Sequence, residues 1–368
     1  MALSPLNQRR WRNFRGNRRA FWSLMLFSGL FVLSLFAEFL ANDKPLLVRF
    51  NGGFYVPVFR FYPETAFGGD FQTEAIYRDA FVQCLIRTGA NAACLDDPKA
   101  AMQDGADGEI AGTPIQRGWI LWAPVPFSFN TIVDKKGVAP GKPDGQNWLG
   151  TDDTSRDVTA RVIYGFRLSV AFALLTTLFC SILGIAAGAV QGFFGGLVDL
   201  TFQRIIELWS AIPTLYVIII VAAFVRMNFW LLVFLTTLFG WTTLVSVVRA
   251  EFLRARNFEY VRAARALGVS NRVIMFRHVL PNAMVATLTF LPFIITGAIG
   301  ALASLDFLGY GLPSSYPSLG ELTLQAKQNL QAPWLAFTAF FTFATMLSLL
   351  VFTFEGVRDA FDPRKIFR

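Results

Sequence analysis

Residues Asn257–Asn282 read NFEYVRAARALGVSNRVIMFRHVLPN, and this basic stretch lies between long apolar runs. Asn257 is a favourable N-cap, and Glu259 in the first turn complements the helix dipole. Gly268 is expected just after that helix, where glycine adopts the left-handed conformation at little cost. Ser270 can cap a second helix. The stretch therefore predicts a helix–Gly–helix element, which is called the basic segment below.

Six apolar blocks surround the basic segment and indicate a membrane protein. The chain has 368 residues, of which 54% are hydrophobic and 16% charged, whereas soluble domains carry about a quarter charged residues. Each block is long enough to cross a hydrocarbon core of about 30 Å and must be helical there to pair its backbone groups. The blocks are Phe21–Leu40, Leu168–Val190, Leu200–Val225, Phe229–Val248, Ala283–Leu305 and Trp334–Phe354. The predicted fold class is an all-α integral membrane protein with six transmembrane helices.

Charges and prolines inside these blocks modify the prediction. The third block is the weakest because it contains Arg204, Glu207 and Pro213. The two charges are three residues apart, so a local ion pair is favoured over a transport site. Pro213 and Pro292 are expected to bend the third and fifth spans. Whether those bends serve a transport pathway stays open.

The charge distribution predicts the topology. Residues 41–160 carry 15 acidic and 11 basic residues, whereas residues 249–277 carry seven arginines and two glutamates. The positive-inside rule places the basic segment and both termini in the cytoplasm and residues 41–160 outside. The first block exceeds a usual signal-peptide core and is interpreted as a retained anchor. The net charge of +8 therefore reflects topology, and nucleic acid is not an expected partner.

The predicted organisation has five parts. They are a cytoplasmic arm (1–20), the first transmembrane helix (21–40), a periplasmic insertion (41–163), a core with five transmembrane helices (164–357) that includes the cytoplasmic loop 249–282, and a cytoplasmic tail (358–368). The insertion suggests contact with an external partner, although ordering of the mouth of the helix bundle is an equal alternative.

The insertion has three recognisable features. Residues 45–77 are rich in aromatics, glycine and proline and predict short strands and turns, whereas Asp96–Gly112 predicts a flexible loop. Thr154 or Ser155 is expected to cap a helix that starts near Asp157. Cys84 and Cys94 are compatible with a disulfide in an oxidising periplasm and equally with two free thiols.

The basic segment resembles a loop found in a known transporter family. Arg262-Ala263-Ala264 with Gly268, followed by Leu280-Pro281, is similar to the EAA loop of ABC importer permeases, with Arg262 in place of glutamate and His278 in place of an apolar residue. In that family the loop docks in a cleft of the ATPase subunit. The resemblance implies that the ATPase-coupling residues are Phe258, Glu259, Arg262, Ala263, Ala264, Arg265, Gly268, Leu280 and Pro281. An arginine-rich helix lying on anionic lipid is the alternative that the residues alone allow.

Further motifs resemble the oligopeptide and dipeptide branch of this family. NWLGTDDTSRDVTARVIYGFRLS at 147–169 is similar to the LGTD-x-x-GRD signature, with Ser155 where glycine is usual. LDFLGYGLP and the terminal RDAFDPR also match. The long insertion is similar to that of the E permeases of Yej-type importers of oligopeptides and microcin C. The resemblance implies the type I importer permease fold in a bacterial inner membrane.

Sequence features that are missing identify the expected partners. The chain has no G-x-x-x-x-G-K-[ST] motif, so ATP and Mg²⁺ are expected on separate ATPase subunits. His278 is the only histidine, which excludes a nucleophile–His pair, and no enzymatic activity or cofactor is expected in this chain. The resemblance implies three partners: a second homologous permease, ABC ATPase subunits and a periplasmic peptide-binding protein. A secondary transporter and a membrane receptor are the alternatives.

Overall fold

The computed structural model describes residues 5–104, 108–110, 113–133 and 139–361. By contacts the chain forms two compact units. The membrane unit comprises Met1–Phe31, Phe166–Leu324 and Ala339–Arg368, and the inserted unit comprises Val32–Gly165 and Gln325–Thr338. The basic residues at the C-terminal tip, which contribute to the predicted topology, lie outside the described residues.

Helices account for most of the described chain. In order they are α1 (Pro5–Gly16), α2 (Arg18–Leu35), α3 (Ala37–Leu40), α4 (Ala80–Thr88), α5 (Pro98–Asp104), α6 (Val158–Phe194), α7 (Gly196–Ser210), α8 (Thr214–Phe224), α9 (Phe229–Gly240), α10 (Thr242–Ala255), α11 (Glu259–Ala266), α12 (Asn271–Val273), α13 (Leu280–Phe307), α14 (Leu319–Gln328) and α15 (Pro333–Phe361). Short strands are β1 (Leu47–Phe50), β2 (Gly53–Tyr55), β3 (Glu109–Ile110), β4 (Thr113–Pro114) and β5 (Trp119–Leu121).

The long apolar helices reproduce the predicted spans. In the described residues, α2, α6, α13 and α15 are each long and apolar enough to cross a membrane. The pairs α7–α8 and α9–α10 also qualify if each bent pair counts as one span, which gives up to six spans. The all-α membrane architecture is therefore as the sequence predicts.

The two bent pairs have different origins. The α7–α8 axis bends by 61° directly before Pro213, which cannot continue the hydrogen bonding of α7. The bend was predicted from that proline. The α9–α10 axis bends by 40° at Trp241 without a proline, and this break was not predicted. By contrast, α13 continues through Pro292, so the second proline does not interrupt its helix.

Three glycines bring α6 and α10 into close contact. Gly184, Gly188 and Gly192 lie four residues apart, and a Cβ at any of them would lie 2.5–2.8 Å from a backbone carbonyl oxygen of α10 or its N-cap residue. Such spacing of small residues allows two membrane helices to approach closely. Because no larger side chain fits, these glycines fix the distance between the two helices.

The N-terminal helix packs against the end of the last span. Phe14 and Ala20 form a buried cluster with Ala360. The Arg10 guanidinium lies 4.3 Å from the ring centre of Phe361. The arm at residues 1–20 was predicted without secondary structure, whereas its residues Pro5–Gly16 form α1, which packs near the end of α15.

The inserted unit has a small sheet and a core of its own. Strand β1 pairs antiparallel with β2 and with β5 in the order β2-β1-β5. Its buried core comprises Val48, Phe50, Phe67, Ala75, Tyr77, Val82, Ile86 and Ile115. Burial raises the pKa of the Tyr77 hydroxyl and lowers that of the Arg78 guanidinium. The short strands and turns predicted for residues 45–77 are thus present.

Part of the predicted flexible loop is a helix that packs beside the cysteine pair. Asp96–Gly112 was predicted as a flexible loop, but residues 98–104 form α5, with the Asp97 carboxylate accepting from the backbone N–H groups of Lys99 and Ala100. Residues 105–107 and 111–112 of this range lie outside the described residues. Met102 packs beside the buried cluster that contains Cys84 and Cys94, so tertiary contacts offset the polar composition. These two cysteines are joined as a disulfide in the structure, with Cα atoms 5.8 Å apart.

A buried polar network precedes α6. Asp157, rather than the predicted Thr154 or Ser155, caps the helix by accepting from Ala160 N at 2.7 Å. The Asp152 carboxylate accepts from Arg156 Nε at 2.7 Å, and Arg161 Nε lies 3.5 Å from it. Burial and the charge of Asp152 raise the pKa of the neighbouring carboxyl at Asp153.

The backbone conformation at Ser155 explains why glycine is usual at this position of the signature. Its φ is +60°, in the left-handed region that glycine occupies at least cost. The glycine that is usual at this position in the resembling sequences therefore fits the backbone conformation that the loop requires.

Candidate functional site

The first helix of the basic segment is α11, and it begins one residue later than predicted. Phe258 is the N-cap residue, with extended backbone and no side-chain cap bond. The Asn257 side chain instead donates to the carbonyl of Leu253 at 3.3 Å, one turn back in α10. The prediction that Asn257 caps this helix was wrong because its amide bonds the preceding helix. Glu259 lies in the first turn as predicted.

Gly268 ends α11 in a defined turn. Its φ is +77°, as predicted for the residue that follows the helix. Gly268 N donates to the carbonyl of Arg265, and Val269 N donates to that of Ala264, each at 3.0 Å. This pair of bonds is the Schellman motif, which pairs carbonyls that a helix end otherwise leaves open. The turn therefore has one fixed geometry.

The second half of the basic segment joins the fifth span without a break. α12 leads into a π-helical turn over Ile274–Val279, and α13 follows at once. The Ser270 side chain makes no cap bond. Pro281 lies in the first turn of α13, where its missing N–H and its ring disturb the preceding turn. The wider π turn accommodates that proline. The chain is thus helical without interruption from α12 through the π turn into α13.

One buried residue anchors α11 to the membrane unit. Val261 is fully buried in a cluster that includes Phe193 of α6, Val248 of α10 and Ile274 of the π turn. The Arg265 guanidinium adds a contact 5.3 Å from the ring centre of Phe193. A helix of only eight residues is marginal alone. The cluster therefore supplies the packing that holds it.

The opposite face of α11 is exposed. At 3.6 residues per turn, Glu259, Ala263 and Ala266 lie opposite Val261, with Arg262 at the edge of that face. All four are exposed. Small alanine side chains at the centre of the face allow another surface to approach the helix closely. The arrangement suits docking rather than catalysis.

The structure separates residues that the sequence grouped together. Phe258, Val261, Ala264 and Leu267 follow one another at the spacing of a single helical stripe. Only Val261 is buried, with Ala264 packed beside the same cluster, whereas Leu267 is 83% exposed. Leu280 packs at the edge of the cluster, and Pro281 is exposed. The predicted coupling residues therefore comprise an outward-facing set and an inward-facing set.

Sequence reasoning missed an ion pair beside this site. Arg249 of α10 donates from Nε and Nη2 to the two carboxylate oxygens of Asp199 at 2.5 and 2.7 Å. The partners are fifty residues apart, so nothing in the sequence signals the pair. It ties the start of α7 to the helix that leads into the basic segment. The nearby pair predicted between Arg204 and Glu207 is present at 2.6 Å.

The LDFLGYGLP motif has a structural explanation. Asp306 is buried and accepts from Leu312 N at 2.6 Å and from the Ser318 hydroxyl. A Cβ at Gly311 or Gly320 would collide with Asp306. The aspartate therefore holds the turn after α13, and the two glycines leave room for it.

Comparison with known proteins identifies one matching family and several related permeases. The family described as "Binding-protein-dependent transport system inner membrane component" matches residues 181–367. The Escherichia coli K12 inner membrane ABC transporter permease protein YejE is 53% identical over 366 residues, covering 99% of this chain and 98% of that protein. The Agrobacterium fabrum peptidoglycan transport system permease protein YejE is 50% identical over 391 residues, covering 100% and 95%. The Bacillus subtilis oligopeptide transport system permease protein OppC is 32% identical over 224 residues, covering 60% and 73%.

Proposed function

This chain belongs to the inner membrane components of binding-protein-dependent transport systems, the permease subunits of ABC transporters, and we propose that its substrates are oligopeptides. It is a transport subunit and not an enzyme. The oligopeptide and dipeptide transport permeases among its relatives support a peptide substrate. Microcin C-like peptides are included in the proposal, as the Yej-type resemblance implies.

The relative named for peptidoglycan transport supplies a second candidate substrate. Its similarity extends over the whole chain, so peptidoglycan fragments are a competing class. Uptake of a labelled oligopeptide and of labelled peptidoglycan fragments, compared between wild-type and deletion cells, separates the two. We expect deletion to abolish oligopeptide uptake. Loss of peptidoglycan-fragment uptake alone would overturn the oligopeptide proposal.

We propose that ATP energy reaches this chain through the basic segment. The observation that supports this is the two-sided α11, which is anchored inside by Val261 and exposes Glu259, Ala263 and Ala266 outside. Closure of ATPase subunits against the exposed face would press on the helix. The Gly268 turn and the continuous path from α12 into α13 would carry that displacement to the fifth span.

The proposed assembly contains this chain, a second permease, ABC ATPase subunits that bind ATP and Mg²⁺, and a periplasmic peptide-binding protein. The two permeases would each form half of the pathway. In this arrangement the basic segment and both termini face the cytoplasm. The contact of α1 with the end of α15 supports placing the two termini on the same side.

Two substitutions at one exposed position test the coupling. Ala263→Trp should block docking of the ATPase and abolish uptake, because the indole occupies the space that alanine leaves open. Ala263→Ser is the matched control and should retain uptake, since its side chain remains small. Both should reach the membrane at wild-type level because the position is exposed. Wild-type uptake by Ala263→Trp would overturn the proposal.

Reconstitution distinguishes the remaining function classes. Proteoliposomes that contain this chain alone should not accumulate peptide, whereas the chain purified with its co-purifying subunits should do so when ATP is present. Accumulation by the chain alone would indicate a secondary transporter. Peptide binding without transport by the complete assembly would indicate a receptor.

A further inference from the structure

The loop Val56–Phe61 projects from the inserted unit between two packed tyrosines. The rings of Tyr55 and Tyr62 lie 5.1 Å apart, and both rings pack against the core of the unit. Val56 N donates to the hydroxyl of Tyr62 at 3.5 Å, and Phe59 N donates to the Val56 carbonyl at 3.1 Å. These contacts close the base of the loop, whereas Phe59 at its tip is 70% exposed.

The same tip contacts α3, the short helix at the end of the predicted first span. Phe36 follows the last residue of α2, and Phe39 lies one turn further in α3. The ring of Phe39 lies 6.3 Å from that of Phe36 and 5.6 Å from that of Phe59. The 18 residues of α2 rise about 27 Å, close to the thickness of the hydrocarbon core. Phe36, Phe39 and therefore Phe59 lie at the boundary of that core.

The exposed side chains of the tip match the chemistry of this boundary. Phe59, Arg60 and Phe61 are consecutive and all exposed. Apolar rings are poorly accommodated in water but fit the layer where acyl chains meet headgroups, and arginine pairs with phosphate. We propose that the loop Val56–Phe61 is a lipid-binding element, with Phe59 at the acyl-chain boundary and Arg60 on a lipid phosphate.

The contact of this loop with the end of the first span indicates that lipid covers the exposed tip. An aromatic side chain that contacts the last turns of a membrane helix has the same depth as those turns, so the bilayer surface reaches it. The inserted unit is thereby attached to the membrane by a second point besides its chain connections.

A spin label at the tip tests the proposal. Phe59→Cys in a Cys180→Ala background carries a nitroxide, and the full chain with its co-purifying subunits is placed in nanodiscs of phosphatidylethanolamine and phosphatidylglycerol. Oxygen concentrates in lipid and a nickel chelate in water. We expect the oxygen-to-nickel collision ratio to be several-fold above that of free nitroxide in buffer and close to that of a Phe36→Cys label.

A second labelled site and a charge reversal complete the experiment. Phe54 is also exposed but packs against Trp119 rather than against the span, so a Phe54→Cys label should give an aqueous ratio. Arg60→Glu should lower the ratio at the Phe59→Cys label, because the carboxylate is repelled by lipid phosphate. Equal ratios at the two labelled sites, or an unchanged ratio in Arg60→Glu, would contradict the proposal.

Two results at the Phe59→Cys label itself would overturn it. A ratio equal to that of free nitroxide would show that water surrounds the tip. A label shielded from both reagents would show that protein covers the tip instead of lipid.

Discussion

The basic segment and the inserted unit are stabilised in opposite ways. The inserted unit has its own core, a three-stranded sheet and a disulfide. The basic segment has an eight-residue helix whose only fully buried side chain, among the described residues, is Val261. Its packing comes from α6, α10 and the π turn. The comparison shows that one region has a core of its own, whereas the other is packed against the helices that it is proposed to move.

The substitution with the largest expected effect, Arg161→Met, tests whether the inserted unit depends on its buried charges. Arg161→Met leaves the Asp152 carboxylate with one arginine partner fewer in a buried site, and loss of one partner of a buried ion pair costs about 3–5 kcal/mol. We expect the inserted unit to lose protease resistance in membranes. Arg87→Met, at an exposed arginine of the same unit, is the control. Unchanged resistance in Arg161→Met would show that the network does not stabilise the unit.

Removal of the disulfide also tests what stabilises the inserted unit, with a smaller expected effect. Replacing Cys84 and Cys94 by serine should destabilise the inserted unit by about 2–4 kcal/mol, because the crosslink restricts the unfolded chain. Protease resistance should fall while the amount of protein in the membrane stays the same. Mass spectrometry with and without reductant checks the bond directly. Free alkylation of both thiols without reductant would refute it.

A third substitution tests whether the basic segment depends on its neighbours. Gly188→Leu inserts a side chain where a Cβ would already lie 2.8 Å from the Val245 carbonyl oxygen, and overpacking of this kind costs about 1–3 kcal/mol. We expect α6 and α10 to separate, loosening the cluster around Val261 and reducing uptake. Gly29→Leu in α2, where a Cβ meets open space, should retain uptake. Equal uptake by the two variants would contradict the dependence.

The substitution with the smallest expected effect changes Gly268 in the turn after α11. Gly268→Val forces a β-branched residue into the left-handed region at a cost of roughly 1–2 kcal/mol. We expect uptake to fall because α11 and α12 lose their fixed angle, while the protein remains in the membrane. Gly268→Asn should retain most uptake, since asparagine tolerates this conformation. If the two variants transport equally, the turn geometry is not needed for coupling.

The sequence predicted features that depend on local patterns. Apolar run length identified the spans, Pro213 predicted the break between α7 and α8, and Gly268 was assigned correctly to the end of α11. Predictions failed where distant contacts decide the outcome. Asn257 bonds backwards to Leu253 rather than capping α11, and residues 98–104 form a helix against the cluster at Cys84 and Cys94.

The candidate site was predicted in outline only. Its residues were named, but their division into an anchored face and an exposed face requires the packing of α11 against three other elements. Ala263 and Ala264 are adjacent residues of the same type, yet only Ala264 packs against the cluster around Val261. The ion pair of Asp199 with Arg249 joins residues that no spacing rule connects. The glycines of α6 are different, because their four-residue spacing is visible in the sequence, whereas their contact with α10 is visible only in the structure.

By itself the sequence determined that this is a multi-span permease whose basic loop carries a helix, a glycine turn and a second helix. Hydrophobic length, charge asymmetry and the conformational freedom of glycine act over a few residues and can be recognised in order along the chain. The tertiary structure alone decided which face of α11 is exposed, how α12 continues into α13, and that Phe59 lies beside the end of the first span. Those features depend on which surfaces meet in space, because burial and contact are set by residues far apart in the chain.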